Sequence, residues 1–139
     1  MPDARRGRVS SAAWAWAIAA ITAAVFARSL TAGFLDFDDL HFLAHNPHLQ
    51  SVSWENLRWM LGAKWVIWYP VTWLSWMLDR IVWGGSAFGY HLGNVLLHAL
   101  NAALAFKLFD ALMEKNGARE ERTRRAAAAF AALVFALHP

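Results

Sequence analysis

Three carboxylates crowd into FLDFDDLHF, residues 34–42, where Asp36, Asp38 and Asp39 stand among Phe34, Leu35, Phe37, Leu40 and Phe42. In an extended chain Asp36 and Asp38 share one side, and in a helix Asp36 and Asp39 share a face. Either conformation brings two carboxylates to one place, and three roles are open to them. One can take a proton from an acceptor hydroxyl as a general base, a role worth roughly 10²–10⁴ in rate. A pair can hold a divalent cation beside a substrate phosphate. Alternatively, Asp38 or Asp39 is the N-cap of a short helix, LHFLAH, that ends before Asn46-Pro47. His41 and His45 stand four apart on that helix, one turn after Asp38, a spacing compatible with shared metal ligation. Arg28, Arg58, Lys64 and Arg80 are cations that could meet a lipid phosphate or serve as ordinary headgroup anchors.

The elements that must position these groups are set by an apolar composition. Of 139 residues, 58% are hydrophobic and 17% charged, nine are Trp and the mean hydropathy is +0.29, outside the usual range of a soluble domain. There is no Cys, which excludes a disulfide framework and a Cys-ligated metal. The net charge of +3 is modest, and the basic residues cluster in two short segments without aromatic interleaving. They read as topology signals and not as a nucleic-acid surface.

Nineteen uncharged residues between Arg8 and Arg28, and the 26 from Ile81 to Phe106, are each long enough to cross a hydrocarbon core. A third apolar run begins at Ala126 and has 14 residues, which leads to the expectation of a cut third span in the N-terminal piece of a longer protein. The first run also has the layout of a signal peptide, with RRGR as the basic region and Val25-Phe26-Ala27 as a cleavage site, but it is longer than the usual apolar region. Arg5, Arg6 and Arg8 against Asp3 give +2 before the first span. Residues 113–125, with Lys115, Arg119, Arg122, Arg124 and Arg125 against Glu114, Glu120 and Glu121, again give +2. The connecting segment 31–88 carries −2. The positive-inside rule then puts the N-terminus and 113–125 in the cytoplasm and the carboxylates on the outer face.

That topology requires WVIWYPVTWLSWML, residues 65–78, not to cross, and its 14 uncharged residues are too few. With Pro70 near its start, a helix over 70–83 places Trp73, Trp76, Arg80 and Trp83 within an arc of about 80°, beside Val71, Leu74, Met77, Leu78 and Ile81. Because Trp favours the headgroup level, the natural reading is a helix lying in the outer interface; an amphipathic core helix is the alternative. In YHLGNVLLHALN, His91, Asn94, His98 and Asn101 again fall on one arc, so the second span is expected to turn this stripe toward other helices or an aqueous cavity. His91, at the depth of the carboxylates, is the member with a functional claim, and Lys107 reads as a snorkelling residue.

The runs FLDFDDLHFLAHNPHLQSVSWENLRWML, WYPVTWLSWMLD, YHLGNVLLHALNAALAFKLF and AALVFALHP, in that order, resemble the N-terminal region of GT-C-type membrane glycosyltransferases. The nearest subgroup is the transmembrane, tetratricopeptide-repeat-containing (TMTC-like) O-mannosyltransferases and their bacterial relatives, and the resemblance covers about residues 30–139. It implies transfer of a sugar, mannose or another hexose, from a polyprenyl-phosphate donor to Ser or Thr hydroxyls of a protein acceptor, in a cavity at the outer membrane face. Asp38 and Asp39 match the family's acidic pair after an aromatic position in the first outer loop, where an acidic residue activates the acceptor and metal use differs among branches. Three positions depart from the pattern. Asp36 stands where relatives often have a neutral residue, Tyr69 where His or Arg commonly precedes the Pro, and Trp76 where His is frequent, which puts donor recognition in question.

The expected architecture is an all-α, multi-pass membrane fragment of the bacterial inner membrane or an ER-type membrane. It comprises a cytoplasmic tail (1–10), a first span (11–32), an outer loop (33–87) containing the Trp-rich helix 70–83, a second span (88–112), a basic loop (113–125) and the start of a third span (126–139). Asp39 is the expected general base or metal ligand with Asp38 assisting, and Arg80, His91, Arg58 and Tyr69 are the expected substrate contacts. A divalent ion at Asp38 and Asp39 is the one cofactor to test. The rival from another class is a non-catalytic membrane module that binds lipid or a partner protein, its carboxylates serving only as helix caps.

Overall fold

The computed structural model describes residues 9–62, 68–118 and 120–138. Arg5, Arg6, Arg8, Lys64, Arg119 and the beginning of the 65–78 stretch, which entered the topology argument, lie outside them. Among the described residues every regular element is helical and there are no strands. Five helices carry the fold: α1 (Ser11–Phe26), α2 (Trp54–Gly62), α3 (Pro70–Trp83), α4 (Ala87–Lys115) and α5 (Glu121–Leu137). Among the described residues two stretches are long and apolar enough to cross a membrane, Ser11–Thr31 and Ala87–Lys115. The chain divides into two compact units, one made of α1 with the chain from Asn94 onward, the other of Ser29–Gly93.

In the first unit, Ser10 starts α1 by accepting the Ala13 N–H at 3.1 Å, and an alanine-rich sequence carries the helix to Phe26, after which Ala27–Thr31 tighten into a 3₁₀ turn. Thr22, fully buried, returns its hydroxyl to the Ile18 carbonyl at 2.8 Å, so no polar group is stranded. Ala128, Ala132 and Ala136 repeat every four residues along α5. With Ala129 they pack against Ala15 and Ile18 of α1 and Ala102 and Phe106 of α4. Such small side chains let helix backbones approach closely, the usual basis of packing between membrane helices.

The opposite ends of α4 and α5 in this unit are joined by charge. Buried Arg124 donates from Nε to Asp110 at 2.7 Å and from Nη1 to Glu114 at 3.0 Å. Arg125 meets Glu121 at 2.5 Å and donates to the Val9 carbonyl at 2.8 Å, tying in the start of α1. The expected loop 113–125 is thereby corrected. Lys115 ends α4, Gly117 turns the chain at φ 92°, and Glu120 caps α5 by accepting the Arg122 N–H at 3.1 Å and the Thr123 N–H. Arg124 and Arg125 are helical and paired, because a short link leaves their side chains facing the carboxylates of α4. The third apolar helix accordingly starts five residues before the expected 126.

The polar stripe of α4 is divided in its surroundings. His98 does meet neighbouring helices, donating from Nε2 to the Ala136 carbonyl at 2.9 Å with its ring edge-on to Phe26 at 5.0 Å. Asn94 and Asn101 are exposed. The face that packs is the one bearing Val95, Ala99, Ala102 and Phe106, whose dispersion contacts decide the helix rotation within this unit.

In the second unit, Pro70 at N1 and Gly84 in the left-handed region (φ 64°) bound α3, and the Gly84 N–H closes on the Arg80 carbonyl at 2.9 Å. Of the expected Trp arc, Trp73 and Trp76 turn inward and Trp83 stays exposed. Trp73 is fully buried and Trp76 half-buried, while Val71, Leu74, Leu78, Ile81 and Val82 are exposed. The rings pack on one another: Trp73 lies 4.9 Å from Tyr69, 5.1 Å from Trp59, 5.3 Å from Trp76 and 6.2 Å from Phe42. Each such edge-to-face or offset pair contributes about 0.5–1.5 kcal/mol beyond the area it buries.

Candidate functional site

The acidic segment is moored by the aromatic residues at its ends. Phe34 sits edge-on to Tyr90 at 5.4 Å, and Phe42 reaches Trp73, so residues 35–41 form a surface turn laid over a rigid aromatic floor. The expected helix 40–45 is a single wide turn, Leu40–Ala44, closed by the His45 N–H on the Leu40 carbonyl at 3.0 Å and stopped at Asn46-Pro47.

Within this turn the carboxylates separate. Asp39 occupies the N-cap position but caps nothing ahead of it; its Oδ2 reaches back to accept the Leu35 N–H at 3.0 Å, so it braces the turn. Asp36 and Asp38 are exposed, and among the described residues neither carboxylate accepts a hydrogen bond or forms an ion pair. Asp38 has a neighbour of consequence in Tyr69. Burial pushes the Tyr69 phenol above its usual range, and the Asp38 charge pushes it further.

Arg80 lies at the other end of α3. Its guanidinium runs across Gly85, where any side chain would collide with it, and Gly85 has φ 88° besides. Asp79 and Arg80 are close enough to Tyr90 to act on its hydroxyl electrostatically. Burial raises the Asp79 carboxyl above the ordinary range, and a Cβ at Gly93 would stand 3.4 Å from its Oδ1. Trp83 covers Gly89, where a methyl group has no room, so glycine allows the close approach of α3 to the first turns of α4.

The Asp38 charge therefore acts on Tyr69, and those of Arg80 and Asp79 on Tyr90. No described contact joins Arg58 or His91 to the carboxylates. Arg58 is exposed on α2 with its guanidinium 5.9 Å above the Trp54 ring, and the buried Nε2 of His91 has no hydrogen-bond partner among the described residues. The fit to a metal is poor. Among the described residues no three His, Asp or Glu side chains gather as a ligand set, His41 and His45 are exposed, and Asp39 is committed to the backbone.

One arrangement in this unit escaped sequence reasoning. Asn56 of α2, 9% exposed, donates from Nδ2 to the Ser51 carbonyl at 2.8 Å and faces its Oδ1 to His48 Nδ1 at 3.0 Å. His48 stacks on Trp59 at 4.3 Å and 16°. Ser53, three residues before Asn56 and accepting its N–H at 3.0 Å, was the available signal for the start of α2, but nothing in the spacing announces that His48 folds back onto it.

Compared with protein-family models, with curated proteins and with solved structures, the chain finds no match in any of the three.

Proposed function

We propose that this chain is the N-terminal part of an integral membrane glycosyltransferase of the GT-C type, TMTC-like in its motifs, which moves a hexose from a polyprenyl-phosphate donor to Ser or Thr hydroxyls of a protein. The observation that carries this reading is the division of labour in the acidic turn. Asp39 holds the backbone, leaving Asp38 exposed with an uncommitted carboxylate on a fixed aromatic floor beside Tyr69. A base must be positioned and unencumbered to take a proton. In the proposed step the Asp38 carboxylate accepts the hydroxyl proton as the acceptor oxygen bonds to the sugar C1, and the bond from C1 to the donor phosphate oxygen breaks, the phosphate leaving with the electron pair. Asp38 thus takes the role the sequence assigned first to Asp39, and Asp39 keeps the turn in shape. Arg80 is the cation for the donor phosphate. Ser11–Thr31 and Ala87–Lys115 are the spans of a multi-pass protein, with the acidic turn on the non-cytoplasmic side.

The test is transfer by the intact protein from a polyprenyl-phosphate sugar to a Ser/Thr peptide. Asp38→Asn should lower turnover by roughly 10² or more, and wild-type turnover in that variant removes the base assignment. A second reading, a non-catalytic membrane module, draws on the same hydrogen bond, since Asp39 does act as a structural brace. Under it, neither Asp38→Asn nor Asp38→Ala changes anything beyond local stability.

A further inference from the structure

We infer that the first unit carries a site for one anionic phospholipid, in the cleft between α1 and α4. The inference takes from the transferase reading only that these helices span a membrane, and none of its chemistry. The two helices run antiparallel, since Trp14 stacks on Phe106 at 6.4 Å and Phe26 meets His98 at 5.0 Å. Between them lies a cleft of about 630 Å³, within the range of about 300–1,000 Å³ usual for small-molecule sites. Ala15, Ala19 and Ala23 form its α1 side, and Leu96, Leu100 and Leu104, each more than half exposed, stand as a ridge along α4 at every fourth residue. Lys107 alone among the lining residues is charged. It continues the ridge three residues after Leu104, exposed and without a hydrogen bond or ion pair among the described residues.

The cleft is charged at one end only. Lys107 is followed one turn later by Asp110 with its Arg124 pair, and Trp16, 75% exposed, stands on the opposite wall near this end. Lys and Trp side chains together mark the headgroup level. From there to Leu96 the lining is apolar for about 16 Å at about 1.5 Å per residue, the depth of one leaflet of a core about 30 Å thick. A phospholipid satisfies both parts at once: its acyl chain fills the apolar length, and its phosphate is the counter-ion that Lys107 lacks. An apolar helix laid in the same cleft would leave that ammonium unpaired in a medium of low dielectric, at a cost in free energy. The charge rule puts the Lys107 end in the cytoplasmic leaflet, which holds the anionic lipids. The ligand is therefore a resident lipid of that leaflet and not the sugar donor, which the transferase reading puts at the outer face.

Trp16 reports on the cleft directly. The intact protein is reconstituted in phosphatidylcholine vesicles in which a fixed minor share of the lipid is acyl-brominated, as phosphatidylglycerol or as phosphatidylcholine, and the Trp16 emission is taken as the difference from Trp16→Phe. Brominated phosphatidylglycerol should quench it with an affinity about fivefold that of brominated phosphatidylcholine, the effect of one Lys on an anionic headgroup. Lys107→Gln should bring that ratio to one, and Lys107→Arg should keep it. Ala20→Leu, at an exposed position lining the cleft, leaves the charge in place but takes up the space of the chain, and should lower the ratio. A wild-type ratio of one, or a ratio unchanged in Lys107→Gln, overturns the site. So does a Trp16 shielded from both lipids, which gives the cleft to another helix. Protein that does not enter the vesicles overturns the membrane reading and the site with it. Wild-type protein that shows the preference but transfers no sugar overturns the transferase and leaves the lipid site standing, and an active transferase with a ratio of one does the reverse.

Discussion

Asp38 and Asp39 are adjacent and chemically identical, and one backbone N–H separates their roles. An amide in the position of Asp39 still offers Leu35 an oxygen, so Asp39→Asn should cost little in stability or transfer, whereas Asp39→Ala should loosen the turn and be read as lost activity with intact membrane insertion. The neighbourhood of Asp38 and Tyr69 has its own test. In alkaline difference titration Tyr69 should ionise later than a free phenol, and Asp38→Asn should bring it part of the way back, since removing the charge leaves burial in place. Asp79 bears on stability. Its folded carboxyl holds a proton to higher pH than the unfolded chain, so the folded state binds more protons above the ordinary value of 3.8, and stability falls as pH rises through the raised value. Asp79→Asn should remove that slope and raise the thermal midpoint at pH 7. That three Asp lie together is legible in the sequence; which of them is free is not, because a side chain reaching back four residues depends on the turn already being formed.

The helices themselves were largely legible. Ser10 before an alanine run, Pro70 at a first turn and Gly84 after a last one are local signals, and the ends of α1 and α3 follow them. The direction each helix faces was less so. The Trp arc of α3 reads first as a headgroup belt and second as a core face, and the partners that bury Trp73 are Phe42 and Trp59, distant in sequence. Trp73→Ala should therefore cost about 3–5 kcal/mol in chemical unfolding of the detergent-solubilised protein, as for other buried large-to-small changes. A change within about 0.5 kcal/mol, usual for surface positions, would return Trp73 to the interface. At the junction of α4 and α5, Arg124→Gln should lower the melting temperature more than Glu121→Gln does. The former takes from buried Asp110 its 2.7 Å partner and leaves it only Arg125 at 3.8 Å, whereas the latter removes a partly exposed carboxylate and leaves both arginines on Asp110. Asp110 drew no notice in the sequence, since a single carboxylate near the end of an apolar run looks like a boundary marker.

At the scale of the whole chain the prediction is topological. Reporters placed before Ser11 and at 116–118 should lie on the cytoplasmic side, and a label at residue 38 should react from the other; a cytoplasmic label at 38 would leave the proposed transfer without its substrates. Length and apolarity of the two long helices, absence of cysteine, and the placing of charge at their ends follow from the sequence alone, because they depend on residue type summed along a segment and not on what the segment touches. Tertiary structure alone decides that Asp39 braces while Asp38 is free, that Trp73 is inside, that Arg124 is paired, and that His48 folds back onto Asn56. Each of those is a contact between residues separated by at least one turn of chain, and hydrogen bonds and ring packing act over a few ångströms of space, whatever the distance along the sequence.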